Sequence, residues 1–226
     1  DLAIEIPAED VPLAQKMLIQ KCNELGKPVI TATQMLESMI KSPVPTRAEV
    51  SDVANAIIDG TDAIMLSEET TLGDFPVEAV KMMTRIAHRV EKDVFTHDTI
   101  FEFEESHGTT DVISQAAVQT AHDIKAKFIV ALTESGRTAR MVARYHPAEM
   151  ILAVTANVKE APKLALSFGC YPVVVEKFKT IEDVMKTVRQ IATKHKLAVK
   201  GDNVVIVAGV PFGKNQGTNM ILVEKI

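Results

Sequence analysis

Short apolar runs alternate along the chain with longer segments whose apolar residues recur every three or four positions. The short runs are typical of buried strands, and the longer segments are typical of helices with one face in a core. This pattern predicts strands near residues 28–33, 63–66, 128–132, 151–155, 172–175, 203–208 and 220–223. It predicts helices near residues 8–25, 35–40, 51–59, 76–93, 111–124, 138–145, 160–169 and 180–195, with Thr46 or Ser51 as the cap of the third.

The alternation falls into two blocks, which we assign to two α/β domains. The first covers residues 1–95, a polar linker covers residues 96–108, and the second domain covers residues 109–226. Helical crossovers between the strands of the second block predict a three-layer α/β/α domain with a mostly parallel five-stranded sheet. The connection before the last strand is too short for a helix, so we expect that strand to be antiparallel.

Composition excludes several classes of protein. No apolar run reaches about 18 residues, so no membrane span is expected. The first seven residues have no basic start and no apolar core, so they do not form a signal peptide. Aromatic residues make up 4% of the chain and no basic stripe is interleaved with them, so nucleic acid is not an expected partner.

Charge and cysteine usage narrow the picture further. The net charge is −8 over residues 1–100 and +3 over residues 101–226, which favours an anionic small ligand in the second half. Cys22 and Cys170 are far apart and lack a C-x-x-C spacing. We interpret both as reduced core thiols of a cytoplasmic protein.

Polar residues follow the first predicted strand at the point where it should end. Thr31, Thr33 and Gln34 stand there, after the apolar pair Val29 and Ile30. In parallel α/β proteins the carboxyl ends of the strands form the ligand-binding face. The alternative interpretation is a generic βα unit with a threonine-capped strand.

The same region resembles a known family. Thr31-Ala-Thr-Gln-Met-Leu-Glu-Ser-Met39, Pro45-Thr-Arg-Ala-Glu49 and Ser51-Asp-Val-Ala-Asn-Ala56 closely resemble pyruvate kinase, in a long match without gaps. The resemblance covers essentially the whole chain but only the C-terminal part of the family's length. It implies that the first block is the last three βα units of a (β/α)₈ TIM barrel and the second block is the family's effector domain. The whole enzyme would transfer the phosphoryl group of phosphoenolpyruvate to ADP, giving pyruvate and ATP.

The resemblance also assigns residues. Asp1 matches one of two carboxylates that hold a divalent metal, Mg²⁺ or Mn²⁺, next to the substrate. Thr33 matches the catalytic threonine beside the substrate carboxylate and enolate, and Ser67 and Glu69 match a polar wall of the same pocket that organises water. Arg47 matches an arginine that reaches an adjoining subunit, which implies a homotetramer.

The chain also departs from the family pattern. Ala3 stands where most relatives carry glycine, and Glu68 replaces a small residue between Ser67 and Glu69. The family's catalytic lysine, its second metal-binding glutamate and its K⁺ ligands belong to earlier barrel strands, and no residue here matches them. We therefore expect this chain alone to be inactive. The absence of methionine at position 1 hints at a fragment.

A second candidate site follows the strand at 128–132. Backbone N–H groups at a helix start, several hydroxyls and a guanidinium form a cradle for phosphate. The loop supplies these groups through Thr133, Ser135, Gly136, Arg137 and Thr138. The G-x-G-x-x-G and P-loop patterns are both missing.

In pyruvate kinases the matching loop binds the phosphate of an allosteric effector. The resemblance places a further loop, residues 209–219, over it, and Lys214 in that loop adds charge. The alternative is a capped helix start without a ligand. For the whole chain, two other classes stay open: a free-standing module that binds a phosphorylated effector without catalysis, and a role in subunit assembly alone.

Overall fold

The computed structural model describes residues 2–32, 34–94, 103, 108–176, 180–212 and 217–226. The chain divides into two units, residues 1–96 and residues 97–226. In the first unit the α-helices are α1 (Leu2–Glu5), α2 (Val11–Glu24), α3 (Arg47–Ile58), α4 (Glu68–Thr71) and α5 (Pro76–Val94). Its strands are β1 (Ile30–Ala32) and β2 (Ala63–Met65), and 3₁₀ turns cover Ala8–Asp10 and Glu37–Ile40.

The two strands of the first unit form a parallel pair with α-helices between and after them. Ile30 pairs with Ala63, and Ala32 pairs with Met65. A parallel pair needs a crossover, and α3 supplies it. This βαβ order agrees with the α/β fold that the pattern predicted.

Helix α3 begins at Arg47, four residues earlier than the prediction that started at Ser51. The Thr46 hydroxyl accepts the Glu49 N–H at 3.3 Å, and the Glu49 carboxylate accepts the Thr46 N–H at 2.7 Å. This reciprocal capping box satisfies two N–H groups that the first turn leaves open. Of the two candidate caps, the structure therefore selects Thr46.

The stretches that follow β1 and β2 also differ from the predicted elements. In the stretch at 35–40 only Glu37–Ile40 is helical, and it forms a 3₁₀ turn. Leu36 has a non-helical backbone (φ −136°, ψ 44°), so a regular helix cannot start before it. The segment 67–74, predicted as an exit loop, contains the single turn α4. In the first stretch the N–H groups of Leu36 and Ser38 bond to the carboxylates of Glu69 and Glu49, which lie in other segments, and this overrides the local pattern. In the second, the Ser67 N–H bonds to the Glu69 carboxylate two residues ahead.

The second unit contains α6 (Thr109–Asp123), α7 (Arg137–Ala143), α8 (Ala161–Leu164) and α9 (Ile181–Lys194). Its strands are β3 (Phe128–Leu132), β4 (Met150–Thr155), β5 (Cys170–Val174), β6 (Asn203–Ala208) and β7 (Met220–Lys225). They form one sheet in the order β5-β4-β3-β6-β7. Strands β3 to β6 are parallel, and β7 pairs with β6 in the antiparallel direction, as predicted.

Alternating side chains of the central strands divide the apolar core into two layers. Ile129 and Ala131 face one core, which α6, α7 and α8 cover. Phe128 and Val130 face the other, which α9 covers. All five residues of β3 are buried, as expected for a strand with helices on both sides. The three-layer α/β/α prediction is confirmed.

A buried ion pair fastens α6 to the end of α7. The Arg144 guanidinium lies 3.2 Å from the Asp111 carboxylate and donates to the Tyr145 hydroxyl at 2.8 Å. The Tyr145 hydroxyl donates in turn to the Asp111 carbonyl at 3.2 Å. The Phe103 ring packs against the Tyr145 ring at an angle of 54°, with centroids 5.4 Å apart. The charge is therefore paired and covered, which a buried arginine requires.

Among the described residues, no helix combines the length and the apolar character needed to cross a bilayer.

His146 makes the stability of the second unit depend on pH. It is fully buried, with its ring centroid 4.3 Å from that of Phe168. Burial lowers the pKa of His146 from 6.5 to about 3, because the charged ring would lose its hydration. The unfolded chain binds a proton at this histidine near pH 6.5, so folding becomes progressively less favourable as the pH falls from 6.5 towards 3.

Because of His146, we expect the unfolding free energy to fall by about 1 kcal/mol when the pH is lowered from 6 to 5. Urea unfolding at these two pH values measures the change. His146→Asn removes the titrating group, and asparagine tolerates the positive φ of 45° at this position. His195→Asn, at an exposed histidine, is the control. An equal pH dependence in wild type and His146→Asn would contradict the assignment.

Candidate functional site

The loops that follow β1 and β2 form the first candidate site. The two strands are parallel and end at Ala32 and Met65, so both loops leave the same edge of the pair. Ser67 is half-buried in the second loop, at the start of α4. Asp1 and Thr33, which the resemblance assigns to the metal and the substrate, lie outside the described residues.

The Glu69 carboxylate joins these two loops. Its Oε1 accepts the N–H of Leu36 at 3.0 Å, and its Oε2 accepts the N–H of Ser67 at 2.8 Å. Glu69 is only 2% exposed. Each carboxylate oxygen therefore meets a backbone donor from a different segment of the chain.

A close backbone approach packs the second loop onto the first. A Cβ at Gly73 would lie 2.5 Å from the Glu69 carbonyl oxygen and 3.3 Å from the Ile40 Cα. The N–H of Asp74 donates to the Ile40 carbonyl at 2.9 Å. Glycine is needed at position 73 because a side chain there would meet backbone atoms that cannot easily move.

A second carboxylate, Glu49, holds the far end of the first loop. It accepts the Ser38 N–H and the Ser38 hydroxyl, both at 2.6 Å, in addition to its bonds within the capping box. Burial acts to raise the pKa of Glu49, but the hydrogen bonds from Ser38 and Thr46 outweigh burial and lower the pKa. Arg47, the predicted interface residue, is exposed at the first position of α3.

Thr31 lies in the middle of β1 and not at its carboxyl end, where the sequence pattern placed it. It is 8% exposed, and its hydroxyl donates to the Thr61 hydroxyl at 3.0 Å. The Thr61 hydroxyl is also 3.0 Å from the Ala63 carbonyl, to which it can donate. This buried pair of hydroxyls links β1 to the residues before β2.

In the second unit, the loop between β3 and α7 turns sharply at Gly136. This residue has φ 80°, the left-handed conformation that favours glycine. A Cβ there would collide with the Arg140 guanidinium and lie 2.6 Å from the Glu160 carboxylate. Ser135 and Arg137 are exposed on either side of the turn, and Thr133 is half-buried at the end of β3.

An ion pair holds this loop from the side. Arg140 donates to the Glu160 carboxylate at 2.9 Å and to the Ser135 carbonyl at 2.8 Å. Lys163 lies 3.1 Å from the other Glu160 oxygen. The hydrogen bond from Arg140 lowers the pKa of Glu160, and Lys163 adds to this effect against the opposing contribution of burial.

Thr138 is 7% exposed and faces a neighbouring segment. The Thr218 hydroxyl donates to the Thr138 hydroxyl at 3.0 Å, and the Thr218 N–H donates to the Thr110 hydroxyl at 3.1 Å. One end of the loop at 209–219 therefore contacts the start of α7. Lys214 lies outside the described residues.

Several of these residues had no role in the sequence prediction. Glu49 carries a recognisable signal, because it stands three positions after Thr46, the spacing of a capping box. Arg140 and Glu160 are 20 positions apart and give no such signal. Only the packing of α7 beside β4 and α8 brings them together.

Among the side chains that the structure describes, no group of three or more His, Cys, Asp or Glu is placed to hold a metal ion. The carboxylate that the resemblance assigns to the metal, Asp1, is not among these residues.

Both units match models of one family. The model "Pyruvate kinase, barrel domain" matches residues 1–80, and the model "Pyruvate kinase, alpha/beta domain" matches residues 111–224. The chain therefore belongs to the pyruvate kinase family, as the sequence resemblance indicated.

Named relatives show how much of such a protein the chain represents. It is 49% identical to a pyruvate kinase of Sporosarcina psychrophila and 50% identical to one of Geobacillus stearothermophilus, with all of this chain and 39% of each relative covered. It is 46% identical to a pyruvate kinase of Clostridium acetobutylicum, of which it covers 48%. The chain thus spans less than half the length of these relatives and corresponds to a pyruvate kinase segment.

A solved structure agrees with this assignment. The crystal structure of a pyruvate kinase from Cryptosporidium parvum superimposes with a TM-score of 0.87 at 38% identity. The match covers 99% of this chain and 45% of that chain. The α/β fold of both units is therefore that of the corresponding part of a pyruvate kinase.

Proposed function

We propose that the complete protein containing this chain transfers the phosphoryl group of phosphoenolpyruvate to ADP, giving pyruvate and ATP. The observation that carries this proposal is the match of two successive family models, one to each unit. Because the chain covers less than half of its relatives, the reaction is assigned to the complete protein. A partial barrel supplies one side of the active site.

Exposed apolar surface on the first unit supports the partial-barrel interpretation. Ile30 and Met65 lie on one face of the strand pair and are each 44% exposed. On the other side, a groove of about 440 Å³ lies between β2 and α5, lined by Ile64, Val80 and Met83 among others. A closed barrel buries both faces of its strands, so further strands and helices would cover these surfaces.

The chemistry that we assign to this chain is proton transfer and positioning. Loss of the phosphoryl group leaves the enolate of pyruvate, which must take up a proton at its methylene carbon. A threonine hydroxyl is too weak an acid to protonate it alone, so we assign to Thr33 a hydrogen bond to the enolate or a proton relay through water. The Ser67 hydroxyl belongs to the same polar wall.

We include a divalent metal and K⁺ in the proposal. Asp1 would contribute one carboxylate to Mg²⁺ or Mn²⁺, hard cations that prefer oxygen ligands. Such a cation neutralises charge on the phosphoryl oxygens during transfer. The family's K⁺ ligands match no residue of this chain, so K⁺ dependence rests on the family alone.

The activity test compares the complete protein with this chain alone. We expect the complete protein to make ATP from phosphoenolpyruvate and ADP, and the 226-residue chain to give no measurable turnover. Loss of a single electrostatic catalytic group typically costs on the order of 10²–10³-fold in rate, and the chain lacks at least two such groups. A coupled assay that detects released pyruvate measures both. Turnover by the chain alone near that of the complete protein would contradict this, and an inactive complete protein would favour a binding module or an assembly role.

We further propose that the loop at 133–138 binds the phosphate of a sugar phosphate or a nucleoside monophosphate. The exposed Ser135 hydroxyl, the Arg137 guanidinium and the turn at Gly136 support this site. Thr133 and Thr138 border it, and Lys214 belongs to the loop that the resemblance places over it. Binding there would change substrate affinity in the complete protein through coupling between the two sites.

Gly136→Ala tests the effector loop, with Gly169→Ala as its control. Both residues have positive φ, but a Cβ at Gly136 meets Arg140 and Glu160, whereas nothing lies within 4 Å of a Cβ at Gly169. We expect Gly136→Ala to weaken phosphate binding by about 10-fold or more, and Gly169→Ala to leave it unchanged. Calorimetry with inorganic phosphate, a hexose phosphate and a nucleoside monophosphate measures this. If none of the three binds wild type, the capped-helix interpretation stands.

Assembly and location complete the proposal. We propose a homotetramer in which the exposed Arg47 contacts a neighbouring subunit. Sedimentation of the complete protein at four times its chain mass would support this, and a monomer would refute it.

We propose a cytoplasmic location, because Cys22 and Cys170 are both free thiols and the proposed substrates are cytoplasmic metabolites. Cell fractionation that finds the protein outside the cytoplasmic fraction would refute this proposal.

A further inference from the structure

We propose that Glu69 is a positioning residue for the phosphoryl-transfer reaction, and that it acts by tying the loop after β1 to the loop after β2. This inference rests on the proposed function for its link to catalysis. The tie itself can be tested without that function. This role for Glu69 differs from the one that the resemblance implies, in which Glu69 helps to organise water in the pocket.

The first argument is the way the carboxylate is bonded. Its two oxygens accept the N–H of Leu36 and the N–H of Ser67, at 3.0 and 2.8 Å. A carboxylate that accepts a backbone donor on each oxygen is fixed in orientation, because any rotation breaks one of the two bonds. Glu69 is also 2% exposed, which leaves almost no surface for a substrate or a reacting water.

The second argument is what the tie restrains. Gln34 has φ 54°, an uncommon backbone conformation outside glycine, and Leu36 follows it with a non-helical backbone. Such a conformation persists only where surrounding contacts hold it. The buried side chain of Leu36 and the bond from its N–H to Glu69 are two such contacts. Position 33 lies between β1 and these restrained residues in the chain.

The third argument is the local packing of Glu69 itself. A Cβ at Gly73 would meet the Glu69 carbonyl oxygen and the Ile40 Cα, and the Asp74 N–H donates to the Ile40 carbonyl within the first loop. The backbone near Glu69 therefore packs against the loop after β1, the same loop to which its carboxylate is hydrogen-bonded. A small change in side-chain length or in acceptor capacity will therefore move the two loops relative to one another.

Two substitutions separate positioning from other roles. Glu69→Gln replaces one acceptor oxygen by an NH₂ group, which faces an N–H and cannot accept it. Glu69→Asp keeps the charge but is one methylene too short to reach both donors. Glu68→Gln is the matched control, because Glu68 is the exposed neighbour and loses the same charge.

In the complete protein we expect both Glu69 variants to lower kcat by about 10- to 100-fold, and Glu68→Gln to leave it within 2-fold. Displacement of reacting groups by about 1 Å commonly has an effect of this size. The pH dependence of kcat should keep the same limbs in Glu69→Gln as in wild type. The kcat of each variant is measured well below its melting temperature. If Glu69 served fold stability alone, kcat per folded molecule would be unchanged, and that outcome would overturn the proposal.

Two further outcomes are also decisive. If Glu69→Gln loses a limb of the pH profile, Glu69 is a titrating catalytic group and not a positioning residue. If Glu69→Asp keeps wild-type kcat, its charge and not its reach is what matters. Either result overturns the proposal.

Hydrogen exchange tests the tie independently of activity. In wild type the amides of Leu36 and Ser67 should be protected, and Glu69→Gln should reduce the protection of at least one of them by about 10-fold or more. Unprotected amides in wild type would overturn the tie. A complete protein that lacks phosphoryl transfer but shows these protected amides would refute the proposed function and leave the tie intact.

Discussion

Carboxylates that accept backbone N–H groups hold the loops of the first unit in their observed conformation. A strand that ends at a ligand-binding edge leaves the N–H groups of its loop without sheet partners, and buried N–H groups need acceptors. Glu69 supplies them to Leu36 and Ser67, and Glu49 supplies them to Ser38 and Thr46. Removing the Glu69 carboxylate would leave the buried N–H of Leu36 without its acceptor, at a cost of about 1–3 kcal/mol.

In the second unit a cation holds the loop after β3 by donating to a backbone carbonyl. Arg140 holds the Ser135 carbonyl from one side, and Glu160 fixes the guanidinium. Gly136 leaves just enough room for that pair, since a Cβ would occupy the same space. All five residues of β3 are buried, so the loop starts from a strand in the centre of the core. In both units a polar tie outside the strand sets the shape of the loop that follows it.

Sequence patterns predicted the strands and long helices well, because these depend on local periodicity. The five strands of the second unit and the antiparallel β7 follow from apolar runs and connection length. The ties did not follow, because Glu69 and Leu36 are 33 positions apart and meet only when two parallel strands pair. For the same reason the turn at Glu37–Ile40 was predicted as a regular helix. The resemblance named Glu69 as a site residue, but its bonding partners could be found only from the fold.

The most direct test of this account is a crystal structure of the complete protein with pyruvate bound. It should show the Glu69 carboxylate accepting the N–H groups of Leu36 and Ser67, with neither oxygen within hydrogen-bond distance of the ligand. Pyruvate should lie beside the loops after β1 and β2. A Glu69 oxygen that contacts pyruvate directly, or that leaves both backbone N–H groups, would contradict the claim that this carboxylate positions the loops.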